Sequence, residues 1–329
     1  MTSGARHRLR ALPGRALLAT GVVATAAALV AASTATATGG ASCGTVTLNE
    51  QAWVGSTANT YVAKYVLEKF LGCTVKITQI AEIPVYEAMA RGKTDAVLED
   101  WQHVDQYKQY AQKQKAVVLA GWNGLVGHIG WFIPTYLMKQ HPEFKTWKGL
   151  KGKELLFKSP ESGNQGMFLG GDPSYVQKDQ QLIEALGLNF KHVSVGAEPA
   201  QVARWTQLYK QRKPFIIYWW TPQYLHAQYK LSEVQLPKRF PGCKDDAKSG
   251  GDPKQYACAY ASIKLMKVFS KKFAQSGSPA VAVLKRWRWS NDDQNAVAYL
   301  IAGKHMKPDD AAEQWVKANM AKVKKWLGK

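Results

Sequence analysis

The sequence is short of the groups that make and break bonds. It has no H-E-x-x-H pair and no G-x-x-x-x-G-K-[ST] loop, which excludes a zinc peptidase and a nucleotidase of those types. Its four cysteines are too far apart for a zinc site, and its seven histidines are scattered. The one nucleophile-like pattern, Gly40-Ala41-Ser42-Cys43-Gly44, matches G-x-S-x-G but has no strand before it and no helix after it, so a hydrolase elbow is absent. Beyond residue 37 there is no internal repeat, no low-complexity tract and no run near the roughly 18 apolar residues that a helix needs to span a bilayer. No enzyme, metal or cofactor is expected. Acidic residues are also scarce. None precedes Glu50, and 24 Asp and Glu stand against 44 Lys and Arg, a formal net charge of +20. The lysines are spread out, and the excess lies in segments read as helical, such as Lys264 to Lys272 and Lys317 to Lys325. That pattern fits solvated basic faces in an anionic cell envelope better than a nucleic-acid site.

What is present starts with a leader. Arg6, Arg8, Arg10 and Arg15 form a basic n-region, Ala16 to Ala32 is apolar and rich in small residues, and Ala35-Thr36-Ala37 supplies the small residues a signal peptidase reads. Residues 1–37 are therefore expected to be a signal peptide, and the chain an exported, extracytoplasmic protein. Lipidation at Cys43 stays open as an alternative, although the aliphatic residue expected at Gly40 is missing. In an oxidising compartment four cysteines suggest two disulfides. Cys43 and Cys73 each lie just before a predicted strand, at the same edge of a parallel sheet. Cys243 and Cys258 bracket a loop rich in Gly, Asp and Lys. The expected pairs are Cys43–Cys73 and Cys243–Cys258.

The remainder exceeds the ~100 to 200 residues typical of one domain. Strand patterns at Thr45 to Asn49, Thr74 to Gln79 and Asp95 to Leu98 alternate with helical periods at Thr57 to Leu71 and Val85 to Arg91, a βαβαβ order that implies parallel, helix-covered strands. A second alternation begins near His128 to Pro134. It continues through a strand at Leu155 to Lys158, a helix at Pro173 to Leu186, a strand at Phe190 to Val195, a helix at Pro199 to Arg212 and a strand at Pro214 to Trp219. The end reads as helices over Ile263 to Gln275, Pro279 to Trp287, Asp292 to Ala302 and Pro308 to Leu327. The expected architecture is α/β and two-lobed, each lobe a mostly parallel sheet covered by helices with the ligand cleft between them. Lobe I takes residues 43–133 with 237–329, and lobe II takes residues 134–236.

Twelve tryptophans are unusual for this length, and their placement is informative. Trp53 follows the first strand, Trp101 the third, and Trp219 and Trp220 close another. Ligands bind beyond the carboxyl ends of strands in open parallel sheets, so three strand ends bring indoles to one cleft. Each tryptophan taken alone is more often core than ligand wall; three at equivalent positions in two lobes point to function. Indole faces in a dry cleft suit a trimethylammonium group, which has diffuse charge and no N–H to donate. Gly55, Ser56 and Thr57 follow Trp53 and open a helix, where free N–H groups would receive a carboxylate, although an ordinary N-cap explains Ser56 or Thr57 equally well. Caged ammonium plus nearby carboxylate is the shape of betaine. A carbohydrate receptor would also use tryptophan platforms, but it would surround them with Asn, Asp and Arg, which are sparse near Trp53 and Trp220.

Trp53 with Gly55-Ser56-Thr57-Ala58-Asn59, Leu67-Glu68-Lys69-Phe70-Leu71-Gly72, Gly92-Lys93-Thr94-Asp95-Ala96 leading to Trp101, Ile133-Pro134-Thr135-Tyr136, Trp220-Thr221-Pro222, Trp287-Arg288-Trp289-Ser290 and Ala311-Ala312-Glu313-Gln314-Trp315-Val316 occur in an order that resembles the glycine betaine, choline and carnitine binding proteins of ABC transporters. The resemblance spans nearly the whole chain after the leader. It implies a type II periplasmic-binding-protein fold, a monomer working with an ABC permease, and glycine betaine as ligand, with choline or carnitine as alternatives. It also implies an aromatic box of Trp101 and Trp220 with Trp53 as a third wall, completed by Trp289, Trp131 or His128. The acidic residue that the choline-binding pattern has two positions after its first tryptophan is Gly55 here, which argues against choline as the preferred ligand, although Glu99 and Asp100 beside Trp101 offer carboxylates for its hydroxyl end.

Overall fold

A computed structural model describes residues 43–329. The signal-peptide expectation and most of the G-x-S-x-G pattern lie outside those residues. Nine strands form one hydrogen-bonded run: β1 (Thr45–Asn49), β2 (Thr74–Thr78), β3 (Ala96–Asp100), β4 (Val117–Pro134), β5 (Gly166–Gly170), β6 (Phe190–Ser194), β7 (Ile216–Thr221), β8 (Leu231–Val234) and β9 (Ile263–Ser270), in the spatial order β2-β1-β3-β9-β4-β7-β5-β6 with β8 also on β4. Pairing is parallel at the two ends, where β1 joins β2 and β3 and where β5 joins β6 and β7. In the middle it is antiparallel. The expected α/β architecture is present, with parallel pairing at the two ends joined through antiparallel strands.

The join is the 18-residue β4, far longer than the element expected from His128 onward. Its first part pairs with β9 from Val117 opposite Ser270 to Gly127 opposite Ile263. Its last part pairs with β7 from His128 opposite Thr221 to Phe132 opposite Ile217. Register shifts between Leu119 and Gly121 and between Trp122 and Val126 bend the strand before the handover. Gly124 has φ +103, and a Cβ there would meet the Trp289 carbonyl oxygen at 2.1 Å, so glycine is required both for conformation and for close approach.

The helices follow local chemistry. Helix α1 (Val54–Leu71) ends at Gly72, whose φ of 67 is the left-handed cap that glycine takes without strain. Helix α2 (Pro84–Ala90) has proline in its first turn, where the missing N–H costs nothing. At the C-terminus, Ser290 caps the helix Asn291–Ala298 through a box with Asp293.

Four element expectations are corrected. Residues 263–275 form strand β9 and then a four-residue helix, Lys271–Ala274. The run Ile263-Lys-Leu-Met-Lys-Val-Phe is compatible with either period over so few residues, and insertion between β3 and β4 decides for strand. The lysine-rich stretch from Lys264 is therefore largely strand, and Lys267 is buried in it, donating to the carbonyls of Lys285 and Trp287. Residues 154–157 are one 3₁₀ turn, and the strand of that region is β5, whose glycine ends hide it in the sequence. The helix expected from Pro173 begins only at Asp179. The terminal helix is two, Pro308–Ala318 and Met320–Leu327, divided at Asn319.

Both expected disulfides are present, Cys43–Cys73 and Cys243–Cys258. Cys43 is accordingly occupied as a bridge partner. Among the described residues no helix is long and apolar enough to cross a membrane.

Candidate functional site

Strand geometry delivers the three indoles. Trp53 stands where the chain turns from β1 into α1, its N–H bonded to the Gln51 carbonyl. Trp101 directly follows β3 and is held by a turn in which the Gln102 N–H donates to Asp100. In β7 successive side chains alternate faces. Trp219 packs into the core against Trp205, whereas Trp220 and Tyr218 share the other face and meet at 6.0 Å between ring centroids. Trp53, Trp101, Trp220, Tyr218, Tyr175, Val176 and Glu82 line one narrow chamber. Edge-to-face contacts of Tyr175 with Trp53 at 5.5 Å and with Trp220 at 5.9 Å close the aromatic wall.

A buried carboxylate orients two of the walls. Glu99 Oε1 accepts from the indole nitrogens of Trp53 at 2.9 Å and Trp101 at 3.1 Å, while Oε2 accepts from Asn59 at 2.6 Å and from Gln294. Burial raises its pKa to about 7 although those hydrogen bonds pull it down. With four donors aimed at it, Glu99 has no acceptor site left for a ligand. Asp100 is likewise taken up by Tyr86, Tyr107 and the Gln102 N–H. The expectation that Glu99 or Asp100 serves a ligand hydroxyl is corrected: the carboxylate in the chamber wall is Glu82, from the turn between β2 and α2.

Glu82 is buried, and burial raises its pKa while His103 draws it back. His103 Nε2 lies 3.4 Å from Glu82 Oε1, and His103 Nδ1 lies 3.2 Å from Asp246 Oδ2. Burial alone would discharge this imidazole, but Glu82 and Asp246 outweigh it and raise the pKa to about 10. The same contact holds Asp246 below the usual carboxylate range against its own burial. A protonated His103 therefore stands behind Glu82. Among the described residues, no lysine, arginine or histidine lines the chamber itself.

The helix start expected to receive a carboxylate already has one. The Val54 N–H donates to Glu198 Oε2 at 2.5 Å, and the other Glu198 oxygen accepts from Gln223. Glu198 is buried, and burial together with the charge of Glu99 raises its pKa to about 7 against the Val54 bond. Gly55 packs so closely on Gln294 that a Cβ would lie 2.9 Å from its amide nitrogen. Ser56 Oγ accepts from the Gln51 N–H, and Thr57 donates to Glu50. None of Gly55, Ser56 and Thr57 lines the chamber; Thr57 lies on an adjacent open groove that shares Trp53 and Tyr175 with it.

The candidates for a further wall fall elsewhere. His128 pairs with Glu233 at 2.8 Å and is only half-buried. Trp289 packs between Trp287 and Trp315, and Trp131 donates to Asp179 in the core. The walls that sequence reasoning missed are Tyr175, Val176, Tyr218 and Glu82. Tyr218 had a signal, two residues before Trp220 on one strand face. Glu82 had the weaker one of following a strand end. Tyr175 had none, because it sits in the irregular stretch before Asp179.

Residues 44–318 match the sequence model of the family described as the substrate binding domain of ABC-type glycine betaine transport systems. A trimethylamine N-oxide-binding protein of Pelagibacter ubique is 26% identical over 263 residues, 76% of this chain and 80% of that protein. Among solved structures, lactococcal OpuAC in its closed, liganded conformation with glycine betaine aligns with a TM-score of 0.66 at 21% identity, covering 86% of this chain and 99% of that one. An ABC-transporter choline binding protein in complex with choline aligns with a TM-score of 0.68 at 18% identity, covering 87% and 92%. These likenesses show a shared fold, that of the two-lobed type II periplasmic binding proteins.

Proposed function

The chain belongs to the family of substrate-binding domains of ABC-type glycine betaine transport systems, and on that premise we propose that it captures a methylated ammonium solute with an uncharged polar tail, choline being the type compound. The family consists of binding proteins that work with an ABC permease, not of enzymes. The observation that carries the ligand reading is the chamber itself. Three indoles from three strand ends, joined by Tyr175 and Tyr218, surround one space whose one carboxyl group, among the described residues, is that of Glu82. Aromatic faces attract a trimethylammonium group by about 0.5 to 2 kcal/mol each, more as water is excluded. Glu82, with His103 Nε2 3.4 Å from its carboxyl, offers the acceptor for a hydroxyl hydrogen bond.

Glycine betaine, the ligand expected from the sequence, shares the headgroup but would bring its carboxylate toward Glu82, and the helix start that could have received it is filled by Glu198. Trimethylamine N-oxide is the second reading, favoured by the Pelagibacter relative. Its oxygen only accepts, so it would need Glu82 protonated. Trp53, Glu82 and Trp101 come from residues 43–133 and Tyr175, Val176, Tyr218 and Trp220 from residues 134–236, the two expected lobes. Full caging then accompanies closure of those lobes about β4 and the return crossing near Leu236, and the closed form is what the permease reads. Calorimetry and thermal shift with choline, trimethylamine N-oxide, glycine betaine, carnitine and a sugar test the reading. Choline is expected to bind most tightly; glycine betaine binding more tightly than choline would overturn the role given to Glu82.

A further inference from the structure

The loop closed by Cys243–Cys258 holds two short 3₁₀ turns, Ala247–Ser249 and Pro253–Tyr256, and is tied to the chamber at two points. On one side Asp246 meets His103, two residues beyond Trp101. On the other, the Ala247 N–H donates to the Gln177 carbonyl at 2.9 Å and Lys248 Nζ donates to the Tyr175 carbonyl at 2.6 Å, beside the Tyr175 and Val176 walls. Lys178, buried, reaches into the base of the loop and donates to the Lys244 carbonyl at 2.7 Å, with Cys258 Sγ 3.3 Å away. Asp246 is itself fixed, its Oδ1 accepting from the Lys248 N–H at 3.1 Å.

Among the described residues, His103 is the only ion-pair partner of the Glu82 carboxylate. His103 is 2% exposed, so its orientation is set by its neighbours: Glu82, Asp246 and the edge-on ring of Tyr86. The contacts therefore run in one line from the ligand space through Glu82 and His103 to Asp246 and the disulfide loop. We propose that His103 and Asp246 are positioning residues that hold Glu82 at the chamber wall, so that the Cys243–Cys258 loop governs discrimination between ligands that engage Glu82 and ligands that do not. The proposal rests on the reading of Glu82 as the group that meets the polar tail.

Choline and tetramethylammonium separate the two claims, because both present methylated ammonium to the indoles and only choline carries a hydroxyl. Calorimetry on the folded chain at pH 7 gives the ratio of their affinities for the parent, Glu82→Gln, His103→Gln, Asp246→Asn and the double change Cys243→Ser with Cys258→Ser. The parent is expected to prefer choline, and Glu82→Gln to lower that preference roughly tenfold, the loss of a hydrogen bond to a charged group. His103→Gln should approach the same loss, Asp246→Asn and the opened loop should lose part of it, and tetramethylammonium affinity should change less than about threefold in the last three variants. Asp246→Asn, a near-isosteric change, keeps the test open if His103→Gln fails to fold. A preference that falls in Glu82→Gln but is unchanged in Asp246→Asn and in the opened loop overturns the positioning role alone. A preference unmoved by Glu82→Gln overturns the reading beneath it, and the positioning role with it.

Discussion

Trp53, Trp101 and Trp220 are about as hidden from solvent as Trp287, Trp289, Trp315 and Trp326, with exposures of 5, 6 and 5% against 0, 3, 5 and 2%. The two groups nevertheless differ in what their faces meet. The C-terminal four stack on one another, with Trp287 on Trp326 at 4.2 Å and Trp315 on Trp326 at 5.9 Å between centroids, and Trp289 is set edge-on to both Trp287 and Trp315. They form a solid core under the last helices. The first three come from separate strand ends and leave space between their faces, with two of their nitrogens fixed by Glu99. Burial alone therefore does not distinguish a packing indole from a binding one. The distinction lies in whether the ring face is covered by another side chain or borders a void.

This contrast can be broken most forcefully in the stacked group. Trp287→Ala is expected to cost about 3 to 5 kcal/mol of stability, the range for truncating a buried tryptophan, measured by denaturant unfolding, and to leave the ligand affinity of the folded fraction unchanged. Trp326→Ala should behave alike, because it removes the other half of the closest stack. In the chamber, Trp101→Ala and Trp220→Ala are expected to weaken ligand binding by roughly 1 to 3 kcal/mol in calorimetry, and to cost less stability than Trp287→Ala since part of each face borders a void. If Trp287→Ala weakens binding as much as Trp101→Ala does, the division between the groups fails.

The smallest effect is one of pH. Glu198, raised from the usual 4.5 to about 7, favours the folded state fully only below 4.5, and that contribution is lost as pH rises toward and through 7. Lys178 and Lys267, lowered to about 8 and about 7, act in the opposite sense, since their burdens on the fold ease as pH rises. Only a difference measurement isolates Glu198. Relative to Glu198→Gln, the parent should lose stability between pH 4.5 and 7 and hold a constant difference above. A melting-temperature difference that stays flat between pH 5 and 7 would contradict the assigned burial of that carboxylate.

Much of the site was legible because it obeys local rules. Trp53, Trp101 and Trp220 were placed by counting to strand ends, and both cysteine pairs by strand edges and loop composition. What the sequence could not show is which carboxylate faces the ligand space. Glu99 lies two positions before Trp101 and Glu82 lies 19 positions before it, yet Glu99 is consumed by donors as remote as Gln294, 195 residues away. The anion site at the start of α1 was legible as a helix end. Its occupation by Glu198, 144 residues from Val54, was not.

By itself, then, the sequence determined the alternation of strands and helices, the aromatic strand ends and the cysteine pairs, because each depends on periodicity or on neighbours within a few residues. Tertiary structure decided the rest. Strand β9 is a strand because a place between β3 and β4 makes it one, and Lys267 is tolerated there because two carbonyls receive it. Glu82 is the carboxyl group in the chamber wall, while Glu99 and Glu198 are engaged by donors from distant segments and Asp100 by Tyr86, Tyr107 and the Gln102 N–H. Hydrogen-bond saturation is a property of the assembled neighbourhood, and no count along the chain contains it.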